Sequence, residues 1–122
     1  MAMGRGSAFL ALVALCVVAH FSSGHAATYV VGDSRGWTFN VDKWPVGKTF
    51  RAGDVLIFKY NPMLHNTVVV STLAYQSCAA TRDARTLTSG NDRITLSRGV
   101  NSFICTFAGH CQAGMKIQVV AN

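Results

Sequence analysis

Short apolar runs separated by turn residues fill the chain from about residue 29 to its end. They are rich in Val, Ile, Phe, Tyr and Thr, the residue types that favour strands. The strongest run, residues 55–60, follows a turn at Gly53-Asp54 and stops at Asn61-Pro62. The pattern predicts six strands, at residues 29–31, 55–60, 67–70, 94–96, 102–107 and 116–120.

Several short strands separated by turn signals indicate an all-β fold, either a sandwich or a barrel. Turn clusters are predicted at residues 32–36 and 89–92, whereas residues 71–78 lack turn residues and are predicted to hold a short helix. We find no repeat, linker or low-complexity tract. A chain of 122 residues has room for one domain of this kind.

The first 26 residues have a different pattern. Arg5 precedes an unbroken apolar run over residues 8–19, and Gly24 and Ala26 form the small-x-small pair that a signal peptidase reads. A membrane anchor is the alternative, but a spanning helix needs about 20 apolar residues and this run is shorter. We therefore expect a secretory signal peptide over residues 1–26, cleavage after Ala26, and one folded domain over residues 27–122.

Removing 26 of the 122 residues leaves a chain of 96 with five Asp and no Glu. Its formal charge is +5, because Arg5 is lost from a total of +6. The basic residues are spread without a dense run, which fits either plain solubility or attraction to acidic partners such as cell-wall polysaccharides. Nucleic acid is not an expected partner of an exported protein. No hydrophobic tail follows a polar spacer, so no membrane anchor is expected.

Loss of the leader also changes the cysteine count. Cys16 is removed, and Cys78, Cys105 and Cys111 remain. Cysteines of secreted proteins normally pair, but three cannot all pair within one chain. The third either bonds to another chain, stays a reactive or buried thiol, or binds a metal. The sequence itself does not decide which two of the three cysteines form a disulfide.

The segment between the last two predicted strands concentrates side chains that bind metals. It carries Cys105, His110 and Met115 at equal steps of five residues. Gly109 and Gly114 stand immediately before two of them, where the backbone must bend to aim a side chain inward. The segment is therefore interpreted as a ligand loop that both flanking strands hold in place.

His65 supplies a second imidazole. After removal of the leader, His65 and His110 are the two histidines that remain. Soft sulfur ligands favour Cu(I), imidazole suits both oxidation states of copper, and a weak axial Met is typical of electron-transfer copper sites. Because such a geometry is a compromise between the two oxidation states, little rearrangement accompanies gain or loss of an electron. We predict one copper ion bound by His65, Cys105, His110 and Met115.

Each of these residues has a commoner role when it is considered alone. A lone Met between strands is usually part of the core, and a single His is more often a surface or hydrogen-bonded residue than a ligand. Their joint occurrence favours copper. Zinc is a weaker alternative, because structural zinc sites use four strong N or S donors, often in close pairs such as Cys-x-x-Cys. Catalysis is weaker still, since no Glu and few Asp could orient a histidine beside Cys105. A four-ligand site also lacks an open position for substrate, so we do not expect an enzyme.

The chain after the leader resembles the phytocyanins, the plant blue-copper proteins, and specifically their plantacyanin or basic blue protein branch. The resemblance rests on Val31-Gly32-Asp33-Ser34 with Gly36-Trp37, on His65-Asn66, and on Cys105-x4-His110-Cys111-x3-Met115. It implies a cupredoxin-like Greek-key β-sandwich with one or two short helical turns and one type 1 copper. The resemblance also implies equatorial ligands His65, Cys105 and His110, an axial Met115, and a disulfide between Cys78 and Cys111.

The function implied by the resemblance is single-electron transfer by a secreted, monomeric protein of the plant apoplast or cell-wall matrix. Its partner would be a redox protein or a small-molecule reductant. Pro62, Met63 and Leu64 beside His65 form a candidate docking rim, although ordinary loop packing explains them equally well. Some plantacyanin-like proteins are associated with pollen-tube guidance. The alternative is therefore a secreted signalling or adhesion factor in which copper is mainly structural.

Overall fold

The computed structural model describes residues 25–122, so residues 1–24 of the predicted signal peptide lie outside the described residues. Within residues 25–122, no helix has the length and apolar character that a membrane span requires. Two short helical elements are present, a 3-10 helix at Asp33–Arg35 and an α-helix, α1, at Thr72–Ser77. The helix predicted within residues 71–78 is therefore confirmed.

Seven strands form the framework of the described chain. They are β1 Thr28–Val30, β2 Val55–Lys59, β3 Thr67–Val70, β4 Arg85–Leu87, β5 Asn91–Thr95, β6 Gly99–Ile104 and β7 Lys116–Ala121. One sheet has the order β1-β2-β5 and the other has the order β4-β3-β6-β7. Only the β1–β2 pair is parallel among the strand pairs of the described chain. The predicted all-β, cupredoxin-like sandwich is confirmed.

The core lies between the two sheets because each strand turns alternate side chains inward. In β7, Ile117, Val119 and Ala121 are buried and Val120 is exposed. Phe58 of β2 packs against Phe103 of β6, with ring centroids 5.0 Å apart. Cys105 and Met115 belong to the same buried cluster as these rings. The sandwich therefore holds both predicted sulfur ligands at one end of its core.

Some strand boundaries differ from the predictions. The strand predicted to reach residue 107 ends at Ile104, because the chain turns away after Cys105 to form the ligand loop. Asn91 and Asp92, predicted within a turn cluster, begin β5 and pair with Lys59 and Phe58. Strand β4 was not predicted, because Arg85-Thr86-Leu87 is a three-residue edge strand with mostly exposed side chains and no apolar run.

Tyr60 connects the two sheets where β2 ends. Its hydroxyl donates a hydrogen bond to the carboxylate of Asp92 and lies 3.0 Å from the carbonyl oxygen of Leu87 in β4. Burial, followed by the hydrogen bond to Asp92, raises the pKa of Tyr60 from 10.0 to about 12. The protonated phenol is therefore the form that the folded protein favours.

We expect this connection to make the fold sensitive to alkaline pH. The pKa of Tyr60 is about 12 in the folded protein and 10.0 in the unfolded reference, so the unfolded chain loses the phenolic proton first. The stabilising contribution is therefore complete below about pH 10 and is lost as the pH rises towards 12. The check is the free energy of unfolding in urea on both sides of pH 10. It should fall less steeply with pH in Tyr60→Phe than in the unaltered protein, and parallel curves would contradict the assignment.

Candidate metal centre

A turn between β2 and β3 positions His65. The backbone N–H groups of Leu64 and His65 donate to the carbonyl oxygen of Asn61 at 3.0 and 3.1 Å. The side-chain oxygen of Asn61 also accepts a hydrogen bond from Met63 N at 3.0 Å. The turn signal read at Asn61-Pro62 therefore fixes the backbone that carries the first imidazole.

The second ligand loop is closed at its base by backbone hydrogen bonds. Cys105 N–H donates to the carbonyl oxygen of Met115, and Met115 N–H donates to that of His110, both at 3.0 Å. Gly109 and Gly114 have φ angles of +81° and +83°, a conformation that side chains with a Cβ rarely adopt. The bends predicted before His110 and Met115 are therefore confirmed.

The two loops bring three of the four predicted ligands together. The Nδ1 atoms of His65 and His110 are 3.0 Å apart, and Cys105 Sγ lies 3.5 Å from His110 Nδ1. One donor atom from each of the three residues lies within 4.8 Å of the other two. Met115 is fully buried in the cluster that contains Cys105. The sulfur atoms thus lie inside the protein, and the half-buried imidazoles lie towards its surface.

The electrostatics of the site favour neutral imidazole at His65. Burial, followed by electrostatic repulsion from the neighbouring His110, lowers the pKa of His65 below its ordinary value. A neutral imidazole has the free lone pair that a metal ligand needs. The arrangement therefore favours the protonation state in which the residue binds metal.

The state of the cysteines decides whether the donor set fits copper. Cys78 and Cys111 form a disulfide, which joins the end of α1 to the ligand loop beside His110. Cys105 is free and buried, and is the one unpaired cysteine within residues 25–122. Two imidazoles, one available thiol and one thioether match the donors of a blue-copper site. A thioether makes the same set poor for structural zinc, which takes four strong donors.

Asn66 joins the two ligand loops, a role that the sequence analysis did not assign. Its buried side chain accepts a hydrogen bond from Thr106 N at 2.8 Å and donates one to Thr106 Oγ1 at 2.7 Å. Its backbone carbonyl accepts a hydrogen bond from the indole N–H of Trp37 at 2.8 Å. Because Asn66 follows His65 and Thr106 follows Cys105, these contacts fix the two donors relative to each other.

Two aromatic rings pack against the imidazoles near the surface, and two exposed aliphatic side chains precede His65 in the chain. The Phe39 ring centroid is 4.8 Å from that of His110, and the Phe107 ring stacks on His110 at 5.7 Å. The sequence analysis missed both rings, because Phe39 lies in an irregular segment and Phe107 was assigned to the strand predicted over residues 102–107. Met63 is 81% exposed and Leu64 is 54% exposed, so loop packing does not explain them. We refer to Phe39, Met63, Leu64 and Phe107 as the histidine face.

The chain is similar to known copper proteins. Residues 37–115 match the family model described as a plastocyanin-like domain. A chemocyanin from Lilium longiflorum is 53% identical over 125 residues, which cover 99% of both chains. A basic blue protein from Cucumis sativus is 56% identical over 95 residues, which cover 78% of this chain and 99% of that protein. The solved structure of cucumber basic protein, described as a blue copper protein, is 55% identical with a TM-score of 0.78, and the match covers 79% of this chain and 100% of that one.

We expect Asn66→Ala to weaken both the fold and the metal site. It removes both hydrogen bonds between the Asn66 side chain and Thr106, and each such bond contributes about 0.5–1.5 kcal/mol to the free energy of unfolding. Loss of an outer contact of this kind typically lowers metal affinity by about 10–100-fold. Urea unfolding and competition with a copper chelator measure the two effects.

Thr106→Val is the matched control for this change. It removes only the hydroxyl and keeps the hydrogen bond from Thr106 N to Asn66, so its losses should be clearly smaller. If Asn66→Ala bound copper as tightly as the unaltered protein, Asn66 would not be positioning the ligands.

Proposed function

Because this chain belongs to the plastocyanin-like family of blue copper proteins, in its basic blue protein branch, we propose that it is a secreted single-electron carrier. His65, Cys105, His110 and Met115 hold one copper ion per chain in this proposal. The observation that carries it is the approach of two imidazoles to a cysteine that no disulfide consumes. Secretion rests on the leader pattern of residues 1–26.

The four side chains have different roles in this proposal. Copper, when bound, supplies the Cu(II)/Cu(I) couple. Cys105 and Met115 provide sulfur donors from the dry interior, which keeps solvent away from that side of the site. His65 and His110 present half-buried rings towards the surface, from which an electron has the shortest path to a partner.

The hydrogen bonds within the loops favour a carrier over an enzyme. Protein contacts fix the ligand loops: Cys105 N–H donates a backbone hydrogen bond to Met115 O, and the Asn66 side chain forms two hydrogen bonds with Thr106. A site held by its own loops changes little when an electron arrives, which keeps the reorganisation small. Four protein donors also leave no open coordination position for a substrate.

We propose the histidine face as the docking surface, with an acidic redox protein as partner. Phe39 and Phe107 contact the imidazole rings, and the exposed Met63 and Leu64 directly precede His65 in the chain. A small apolar contact surface next to the imidazoles, where the electron enters, is sufficient for a short-lived complex. The formal charge of +5 on residues 27–122 would attract an acidic partner and accelerate the encounter. The same charge favours retention on acidic cell-wall polysaccharide.

The first test is the colour of the purified protein. We expect one Cu(II) per chain and an intense blue absorption from the bond between copper and the Cys105 thiolate. Cys105→Ser should lose this absorption, because a hydroxyl does not provide the thiolate while its size preserves the packing. The double variant Cys78→Ala/Cys111→Ala is the control and should stay blue while it is folded. A colourless protein that binds zinc instead would refute the proposal.

The second test concerns the histidine face. Leu64→Asn should lower the rate of electron self-exchange between reduced and oxidised copies, measured by NMR line broadening. Loss of roughly 1 kcal/mol of apolar contact corresponds to about a fivefold decrease. Leu73→Asn is the matched control, because Leu73 is 77% exposed on α1 and lies outside the histidine face. Equal rates for the two variants would argue against docking at this face.

The alternative function is a secreted signalling or adhesion factor in which copper is mainly structural. The exposed Met63 and Leu64 support this alternative as well as they support electron transfer, since either a receptor or a redox protein could contact them. Met115→Gln separates the two functions, because the axial ligand sets the reduction potential. Under the electron-transfer proposal, biological activity should change with the measured potential of this variant. Full activity in Met115→Gln, or in a copper-free His110→Ala protein, would favour signalling.

A further inference from the structure

A buried carboxylate lies beside the first residues of the folded domain. Asp54 is only 3% exposed. Its Oδ1 accepts a hydrogen bond from the backbone nitrogen of Ala27 at 2.9 Å, and its Oδ2 accepts one from that of Arg51 at 2.8 Å. Both donors are neutral amides, and the Arg51 residue is exposed. A carboxylate this deeply buried is usually paired with a cation.

The backbone around Asp54 holds this carboxylate in place. The carbonyl oxygen of Asp54 accepts a hydrogen bond from Leu96 N at 2.7 Å, and Asp54 N donates to Arg51 O at 3.0 Å. The next residue, Val55, donates its N–H to the carbonyl oxygen of Ala27 at 2.9 Å. Both backbone polar groups of Ala27, its N–H and its carbonyl oxygen, are therefore hydrogen-bonded to the Asp54-Val55 segment. These hydrogen bonds join the carboxylate and the start of β1 into one unit.

A cavity of about 230 Å³ opens beside this unit, lined by His25, Ala27, Tyr29, Thr49, Arg51 and Asp54. Of these residues, only His25 belongs to the predicted signal peptide. Removal of the leader would take away His25 and Ala26 and make Ala27 the N-terminal residue. The cavity would then give an amino group at Ala27 room for bound water beside the carboxylate.

Cleavage changes the chemistry of the Ala27 nitrogen. Hydrolysis of the Ala26–Ala27 peptide bond by a signal peptidase consumes one water molecule. It leaves a carboxylate on Ala26 and an α-amino group on Ala27, which is protonated at neutral pH. The atom that donates one amide hydrogen to Asp54 in the uncut chain would then carry a positive charge and three N–H donors.

We propose that Asp54 is a capture site for the new N-terminus. Cleavage after Ala26 turns a neutral hydrogen bond into an ion pair between the Ala27 ammonium group and the buried carboxylate. This ion pair anchors β1 to β2 and makes the mature protein more stable than its precursor. The inference rests on the proposed secretion and is independent of copper binding. The solved cucumber protein supports a mature chain of this size, since its whole length matches 79% of this chain, or about 96 of 122 residues.

The first measurement is the N-terminal residue of the secreted protein, by mass spectrometry. The expected residue is Ala27, and any other would overturn the inference because no ammonium group would then lie at this position. The second measurement compares two copper-loaded proteins, one that begins at Ala27 and one that retains His25 and Ala26. Charge-assisted hydrogen bonds are roughly twice as strong as neutral ones. The protein that begins at Ala27 should therefore have an unfolding constant about fivefold to tenfold smaller.

Two variants show whether Asp54 causes this difference. In Asp54→Asn the two chain lengths should be equally stable, because a neutral amide does not pair with the ammonium group. Asp92→Asn is the matched control, since Asp92 is also 3% exposed but bonds to Ser89 and Tyr60. It should keep the full difference between the two chain lengths. Equal stability of the two lengths with Asp54 intact, or an unchanged difference in Asp54→Asn, would overturn the inference.

Acetylation of Ala27 provides a test that does not depend on the folding of Asp54→Asn. It restores a single neutral N–H on the nitrogen, and it should raise the unfolding constant to that of the extended chain. An acetylated protein as stable as the free amine would overturn the inference. Because the readout is unfolding and not colour, the result is separate from the tests of copper binding.

Discussion

The availability of one thiol is the constraint on which the rest of the site depends. Three cysteines lie in the folded domain, and Cys111 is only six residues from Cys105 in the same loop. Pairing between those two would leave the site without a thiolate. The fold prevents this by holding Cys111 against Cys78 at the end of α1, while Cys105 stays at the end of β6 inside the core. The disulfide therefore secures the ligand loop and protects the identity of its sulfur ligand.

The second requirement is to bring together segments that are distant in the sequence. His65 and His110 are 45 residues apart, and their Nδ1 atoms nevertheless approach to 3.0 Å. Adjacent strands β3 and β6 carry the two loops to the same end of one sheet. Asn66 then binds the loops to each other, and Trp37 connects them to the opposite part of the core. The positions of the ligands thus follow from strand pairing first and from a few buried polar contacts afterwards.

The sequence predicted the parts of this arrangement that depend on local pattern. Apolar runs located six of the seven strands, and the Cys, His and Met residues identified the candidate ligands. The residues that were missed depend on contacts across the fold. Asn66 was noticed only as part of a motif, because its bonding partner is 40 residues away. Phe39 became relevant only once its loop was folded against His110. Strand β4 forms because β3 offers it a free edge, and its own three residues contain no apolar run that would mark a strand.

The two sides of the site differ in burial. The sulfur donors lie on the core side, where they are shielded from solvent. The half-buried imidazoles lie on the opposite side of the site, near the surface. The core side is rigid because strands β6 and β7 hold both ends of the ligand loop. The surface side is formed by loops, whose side chains can differ between relatives without disturbing the core. The loops of the histidine face can therefore vary while the strands keep the candidate ligands in place.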